Sequence, residues 1–174
     1  MSELLSVCLD RLTTPIGEMW IAADEAGRLR ATFWTDRESV VKVILERQCG
    51  AGVVLTPTRD PHGLTSRIAA YFAGGLAAID EIPVEAGGTA FQRSVWQELR
   101  RIPCGTTIHY GELARRIRRP AAVRAVGLAN GANPIGVVVP CHRVIGANGS
   151  LTGYGGGIER KRWLLDHERG PRLF

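Results

Sequence analysis

Ile135-Gly136-Val137-Val138-Val139-Pro140-Cys141-His142-Arg143-Val144 is the stretch from which the rest of the chain is best read. The apolar run Ile135 to Val139, bounded by Asn133-Pro134 and by Pro140, reads as a short buried strand. A thiol then sits where a strand ends, a place where a rigid element fixes the backbone and the next loop exposes the side chain. A cysteine in that position is also a common small hydrophobe of a core. Its surroundings favour chemistry: an imidazole next door, a pair of short helices upstream and the glycine-rich run Gly153 to Gly157 downstream.

Moving outward, 174 residues with 45% hydrophobic content suit one medium domain or two small ones with a proper core. No apolar run has membrane-spanning length, and the N-terminus (MSELLSVCLD) lacks a basic segment followed by a long apolar one, so a cytoplasmic protein is expected. Cys8, Cys49, Cys104 and Cys141 show no paired CxxC spacing, which argues against a zinc site and a disulfide framework and for a reduced compartment. Charge divides the chain. Residues 1–90 carry 8 Lys/Arg against 12 Asp/Glu, net −4, whereas residues 91–174 carry 14 against 5, net +9. Arginine supplies nearly all of the second set, with Lys161 the only lysine after residue 90. Guanidinium favours bidentate phosphate contacts, so the basic half points to a polyanion and leans towards nucleic acid; a solvated basic face is the alternative.

Residues 1–88 read as a small α/β domain without catalytic residues. Segments 4–9, 18–23 and 28–34 alternate or run apolar and are separated by turn signals, the pattern of an antiparallel meander. Glu38 to Gln48 and about Thr65 to Ala73 carry helical spacing, and Ile79 to Val84 reads as a short strand between Gly74-Gly75 and Gly87-Gly88. Trp20, Trp34 and Tyr71 read as packing residues.

From Thr89, a plausible N-cap, a helix runs to about Ile102 with Phe91, Val95, Leu99 and Ile102 on one face. Two short helices follow, from Tyr110 to about Ile117 and from Pro120 to about Asn130, joined at Arg118-Arg119 with the spacing of a helix-turn-helix. Ala121, Ala122, Ala125, Gly127, Ala129 and Gly131 give the second a bare surface from which Arg124 projects. Such a surface allows close approach to a nucleic-acid groove, or equally close packing of a neighbouring helix. A last helix, about Ile158 to Glu168, places Trp163 and Leu164 at core spacing.

Phe91-Gln92 through Val95-Trp96, the Ile-Pro-x-Gly turn ending at Gly105, Tyr110, Arg124-Ala125-Val126-Gly127, Asn133-Pro134, Pro140 to Val144, Gly153-Tyr154 and Glu168 together resemble the O6-alkylguanine-DNA alkyltransferase family in its bacterial single-polypeptide form. The resemblance spans roughly residues 89–170. It implies an α+β protein: a small antiparallel sheet with helices in residues 1–88, then a mostly helical domain over residues 89–174 with a helix-turn-helix and a short active-site strand. It implies stoichiometric transfer of an alkyl group from O6-alkylguanine, and from O4-alkylthymine, to Cys141. His142 would take the thiol proton through a bridging water, with Glu168 orienting the imidazole, and side chains 141 and 142 would diverge along the expected strand. Tyr110 would donate to guanine N3, Asn133 would tie the small-residue helix to the active-site segment, and Val144 with the backbone of Tyr154 and Gly155 would line the base pocket. Arg124 would fill the stack vacated by a flipped base while Ala121, Ala125 and Gly127 lie in the minor groove. The implied partner is damaged duplex DNA, bound by a monomer, with no cofactor, no metal and no membrane. Arg143 reads as an internal anchor of the loop. Arg118 stands where many members have glycine, so this turn is expected to be reshaped or strained by ~1 kcal/mol; Val123 stands where some have alanine. Two other classes fit part of the pattern. A cysteine hydrolase explains Cys141, His142 and Glu168 but not Arg124 and the basic half. A damage-binding protein without transfer would not need the cysteine.

Overall fold

The computed structural model describes residues 3–34, 38–50 and 52–170. The chain forms two compact units that divide between Gly88 and Thr89. In the first, β1 (Leu5–Thr14), β2 (Gly17–Asp24) and β3 (Leu29–Phe33) form an antiparallel meander. Thr14 pairs with Gly17 across a two-residue turn, which the Thr14 hydroxyl closes by donating to the Gly17 carbonyl at 2.6 Å. Asp24 closes the next turn, its Oδ1 accepting from the Ala26 and Arg28 N–H groups. Val7 and Leu9, two residues apart on β1, share a core with Ala22, Ala31 and Val53 and with Val41 and Leu45, one turn apart on α1 (Glu38–Cys49). α2 (Leu64–Phe72) is tied to β1 through Asp10, whose Oδ2 accepts from the Thr65 hydroxyl at 2.7 Å.

Two details of this unit differ from the sequence reading. A fourth strand, β4 (Val53–Pro57), pairs parallel with β1, so the sheet has the order β3-β2-β1-β4 and is mixed rather than purely antiparallel. β4 lies at the sheet edge and buries only Val53, so its hydrophobic pattern is too sparse to announce a strand. Residues 79–84 do not form a strand either. Leu76–Ile79 is a 3₁₀ turn, and only one bridge, Leu29 to Val84, joins this segment to the sheet. Pro83 has no N–H to extend the ladder.

The second unit starts with α3 (Ala90–Leu99), capped as expected by Thr89: its side chain accepts from the Gln92 N–H at 3.1 Å and Gln92 Oε1 accepts from the Thr89 N–H at 3.0 Å. β5 (Ile108–His109) leads directly into α4 (Tyr110–Arg116), and β6 (Val144–Ile145) pairs parallel with β5. α5 (Val123–Gly131) is held against α3 by the buried Trp96 indole, which donates to the Ala129 carbonyl at 2.8 Å. α6 (Ile158–Arg169) ends the described chain. α5 begins three residues later than the sequence suggested. Pro120 lies instead in a turn closed by the Ala122 N–H on the Arg119 carbonyl, where its fixed φ suits the second position equally well.

Between α4 and α5 the Arg119 N–H bonds the Ala114 carbonyl and the Arg118 N–H bonds the Arg115 carbonyl, both at 2.9 Å. This is the double bond of a Schellman motif, and it places Arg118 at the left-handed position with φ 62°. The expected strain is therefore present. Arg118→Gly should raise stability by about 1 kcal/mol, because glycine meets no Cβ clash there; thermal melting followed by circular dichroism measures it, and an unchanged or lower midpoint would contradict it.

Candidate active site

Residues 135–139 are not the strand that their composition suggests. Asn133 overrides it: its Oδ1 accepts from the Ile135 N–H at 3.0 Å and its Nδ2 donates to the Val139 carbonyl at 2.8 Å. The Val139 N–H returns to the Ile135 carbonyl, and the Val138 N–H reaches the Gly136 carbonyl across Val137, which sits at φ 73°. A β-branched residue at positive φ in a γ-turn is strained, and the Asn133 clamp and the burial of Val137 hold it there. Asn133 follows directly on the end of α5, so its two bonds couple that helix to the turn before Cys141.

Cys141 opens a 3₁₀ turn, Cys141–Arg143, rather than ending a strand. The residue is buried, 7% exposed. The Cys141 carbonyl accepts from the Val144 N–H and, at 3.4 Å, from Asn130 Nδ2. His142 is fully buried, with Nε2 2.7 Å from Glu168 Oε1. Arg143 is the anchor its setting suggested. Its Nε and Nη2 grip Glu168 at 2.9 and 2.8 Å, and its Nη1 donates to the Ile102 carbonyl at 2.7 Å, joining the end of α3 to α6. Gly105, in the Ile-Pro-x-Gly turn, is at φ 82°, and a Cβ there would press to 3.2 Å from the Glu168 carbonyl. The turn thus has to be glycine for α6 to approach.

The electrostatics assign protonation states. Burial raises the carboxyl of Glu168, but hydrogen bonds from His142 and Arg143 more than reverse this and hold it ionised, far below the ordinary 4.5. An anionic Glu168 fixes the imidazole as the Nε2–H tautomer, which leaves Nδ1 as its basic nitrogen. Nδ1 is buried and has no hydrogen-bond partner among the described residues. Burial also lowers His142 below 6.5, more than the Glu168 hydrogen bond and charge raise it, so the ring is neutral at pH 7. Burial pushes the Cys141 thiol up, with Asn133 and the Lys161 ammonium acting in the opposite sense. Together these give a resting thiol next to a neutral base, not a preformed thiolate.

Lys161 and Asn130 were not anticipated. Lys161 is buried, and its Nζ donates to the Val144 and Thr152 carbonyls, both at 2.7 Å, so one ammonium joins β6 to the loop before α6. The signal was present in the sequence: Lys161 falls three, four and seven residues before Leu164, Leu165 and Glu168, on the buried face of α6. Asn130 shares the buried face of α5 with Val126.

Tyr110, the first residue of α4, is half-buried, and its hydroxyl accepts from Thr152 Oγ1 at 3.1 Å. Val144 is fully buried and contributes its carbonyl to Lys161, while Tyr154 is half-buried and Gly155 exposed in the loop before α6. On α5, Val126, Ala129 and Asn130 face inward; Ala121 just before the helix, and Arg124 and Ala125 on it, are exposed, and Gly127 is half-buried. A Cβ on Gly127 would meet nothing closer than the Tyr110 ring at 3.9 Å, and one on Gly131 nothing within 4 Å. Gly127 and Gly131 are therefore not required for packing within this unit, whereas Ala129 is buried in it. Among the described residues no cluster of His, Cys, Asp and Glu has the grouping to hold a metal ion, and none of the described cysteines is in a disulfide.

The structure thus brings together a buried cysteine, the His142–Glu168 pair that follows it and a helix-turn-helix whose second helix exposes Arg124 and Ala125. Comparison with known proteins gives the family. Residues 90–170 match the family described as 6-O-methylguanine DNA methyltransferase, DNA binding domain. The chain is 51% identical over 166 residues to a methylated-DNA–protein-cysteine methyltransferase of Salmonella typhimurium, covering 95% of this chain and 97% of the relative. It is 54% identical over 158 residues to the Methanosarcina mazei protein of the same name, covering 90% and 94%. Among solved structures it resembles Mycobacterium tuberculosis OGT in complex with DNA, with TM-score 0.77, 40% identity and coverage of 95% and 93%. The chain belongs to the 6-O-methylguanine DNA methyltransferase family.

Proposed function

We propose that this chain repairs O6-alkylguanine in duplex DNA by moving the alkyl group onto its own Cys141, once per molecule. The observation that carries this reading is the buried relay in which Glu168, gripped by Arg143, holds His142 with its basic Nδ1 unpartnered, next in the chain to a protonated thiol. His142 takes the Cys141 proton through a bridging water, and the sulfur electron pair forms the S–C bond as the C–O6 bond breaks. The electrons of the broken bond go to guanine, which leaves as the normal base once it is protonated. Tyr110 at N3 and backbone donors near Tyr154 and Gly155 stabilise the charge that develops on the departing base, and one well-placed donor is worth about 3–4 kcal/mol. The Lys161 ammonium favours the thiolate as it forms. Residues 1–88 serve as a structural domain, residues 89–174 bind DNA and transfer the alkyl group, and the protein acts as a monomer in the reducing cytoplasm.

A base stacked in a duplex cannot present O6 to a buried thiol, so it must be flipped out. α5 lies in the minor groove with Arg124 filling the gap. The exposure of Ala125 and Gly131, and the open space around Gly131, support this use of its outer face. Arg124→Ala should lower repair of an O6-methylguanine duplex by about 10-fold or more, while reaction with free O6-benzylguanine falls much less, since only the duplex needs a stack-filling group. Single-turnover rates on the two substrates decide it, and equal losses would place Arg124 in the fold or the pocket instead.

A further inference from the structure

Of the two large apolar side chains that α5 exposes, Val123 at its first position is 40% exposed and Leu128 far more. Leu128 is 72% exposed, more than any other large hydrophobic residue among those described. It lies one turn after Arg124, so the two project from the same side, with Ala125 and the open Gly131 beside them. The opposite side of the helix holds Val126, Ala129 and Asn130, so turning α5 to hide Leu128 would expose three buried residues. Alanine would serve the helix better than an exposed leucine if this face met only water. Arg118 and Arg119 are exposed in the turn before α5, and Arg115 and Arg116 are exposed on α4, where both pair with Glu112, so this part of the unit is net positive. A strongly exposed leucine one turn from Arg124, on a helix whose other exposed residues are small or Val123 and which follows an arginine-rich turn, matches a polyanion whose groove has a less polar floor and walls, which is the chemistry of a duplex minor groove with its deoxyribose faces.

Resting on the reading of α5 as the DNA surface, we infer that Leu128 is an apolar wedge that packs into the minor groove one turn from Arg124. Arg124 fills the stack, and Leu128 holds the groove walls apart on the side towards the end of α5. Its contribution is burial of apolar surface, so it is insensitive to salt, unlike the phosphate contacts of the arginines.

The test is fluorescence anisotropy of a labelled duplex titrated with wild type, Leu128→Ala and Arg118→Ala at several salt concentrations. Leu128→Ala should bind about tenfold more weakly at each salt concentration, with the slope of log Kd against log salt unchanged. Arg118→Ala should flatten that slope by up to about one unit, as expected for one lost phosphate contact. Reaction of Leu128→Ala with free O6-benzylguanine should fall by less than its reaction with duplex, and its thermal midpoint should not drop, because the side chain is exposed. Affinity equal to wild type, a changed salt slope, or equal losses on both substrates would each overturn the wedge. A wild type that does not bind the duplex would overturn the assignment of α5 itself, and the wedge with it.

Discussion

A Cys141→Ser protein mixed with excess O6-methylguanine duplex should gain no mass, while the wild type gains one methylene and then stops. The wild-type limit follows from the bond that is formed. A thioether on Cys141, unlike the thioester of a hydrolase, has no ready route to hydrolysis, so nothing returns the thiol. The loss in the serine variant follows from the resting state. Burial already raises the cysteine thiol, and a hydroxyl in the same apolar setting is much harder to ionise and a poorer nucleophile towards carbon. Serine is nearly isosteric with cysteine, and in this structure position 141 is fixed through its backbone, whose N–H bonds the Val139 carbonyl at 2.8 Å and whose carbonyl takes the Val144 N–H. Duplex binding should therefore survive. Intact mass and peptide mapping check the result. Continued turnover by the wild type, or methyl on Cys8, Cys49 or Cys104, would remove this mechanism.

How far the sequence could be read depended on whether the deciding interactions were local. The start and inner face of helix α3 were legible because cap, partner Gln92 and apolar spacing all lie within a few turns, but it stops at Leu99 rather than near the Ile102 expected. The meander was legible for the same reason: its turns are closed by Thr14 and Asp24 within their own loops. β4 was not, since its pairing with β1 joins residues nearly fifty positions apart and leaves little hydrophobic pattern. The apolar run before Cys141 misled for a different reason. Ile135 to Val139 has strand composition, but two side-chain bonds from Asn133 bend it and drive Val137 to φ 73°, and propensity yields to that clamp. Arg118 shows the opposite case: family comparison marked the position, and the Schellman bonds give the physical cause. Lys161 was counted as the lone lysine of the basic half, yet its place on the inner face of α6 was the more informative fact. A charge on an apolar helical face announces a buried partner, and here the partners are two backbone carbonyls.

Glu168→Gln should fail in chemistry and in stability together, because one carboxylate serves both. Glu168 takes His142 Nε2 and Arg143 Nη2 on Oε1 and Arg143 Nε on Oε2. A glutamine amide has one acceptor for these sites, so in either orientation its NH2 meets an N–H donor. Arg143 is then buried with no counter-charge, and breaking a buried pair this way costs about 3–5 kcal/mol. The chemical loss is separate: without the anion the imidazole is no longer fixed as the Nε2–H tautomer, and transfer should slow by about 10³-fold or more even where the variant is folded. pH separates the two proteins. The folded-state pKa of Glu168 is depressed well below the ordinary 4.5, so its stabilisation is complete above about 4.5 and is lost as pH falls towards the folded value. Glutamine does not titrate there. Urea unfolding should show the wild type well above the variant at pH 7, with the gap narrowing steadily as pH falls below about 4.5. Glu168→Asp, which keeps the charge on a shorter arm, should recover part of the transfer rate measured at low temperature. A gap that is constant across pH would remove the stabilising role of the His142–Glu168–Arg143 array, and a glutamine variant with wild-type transfer would remove its role in the chemistry.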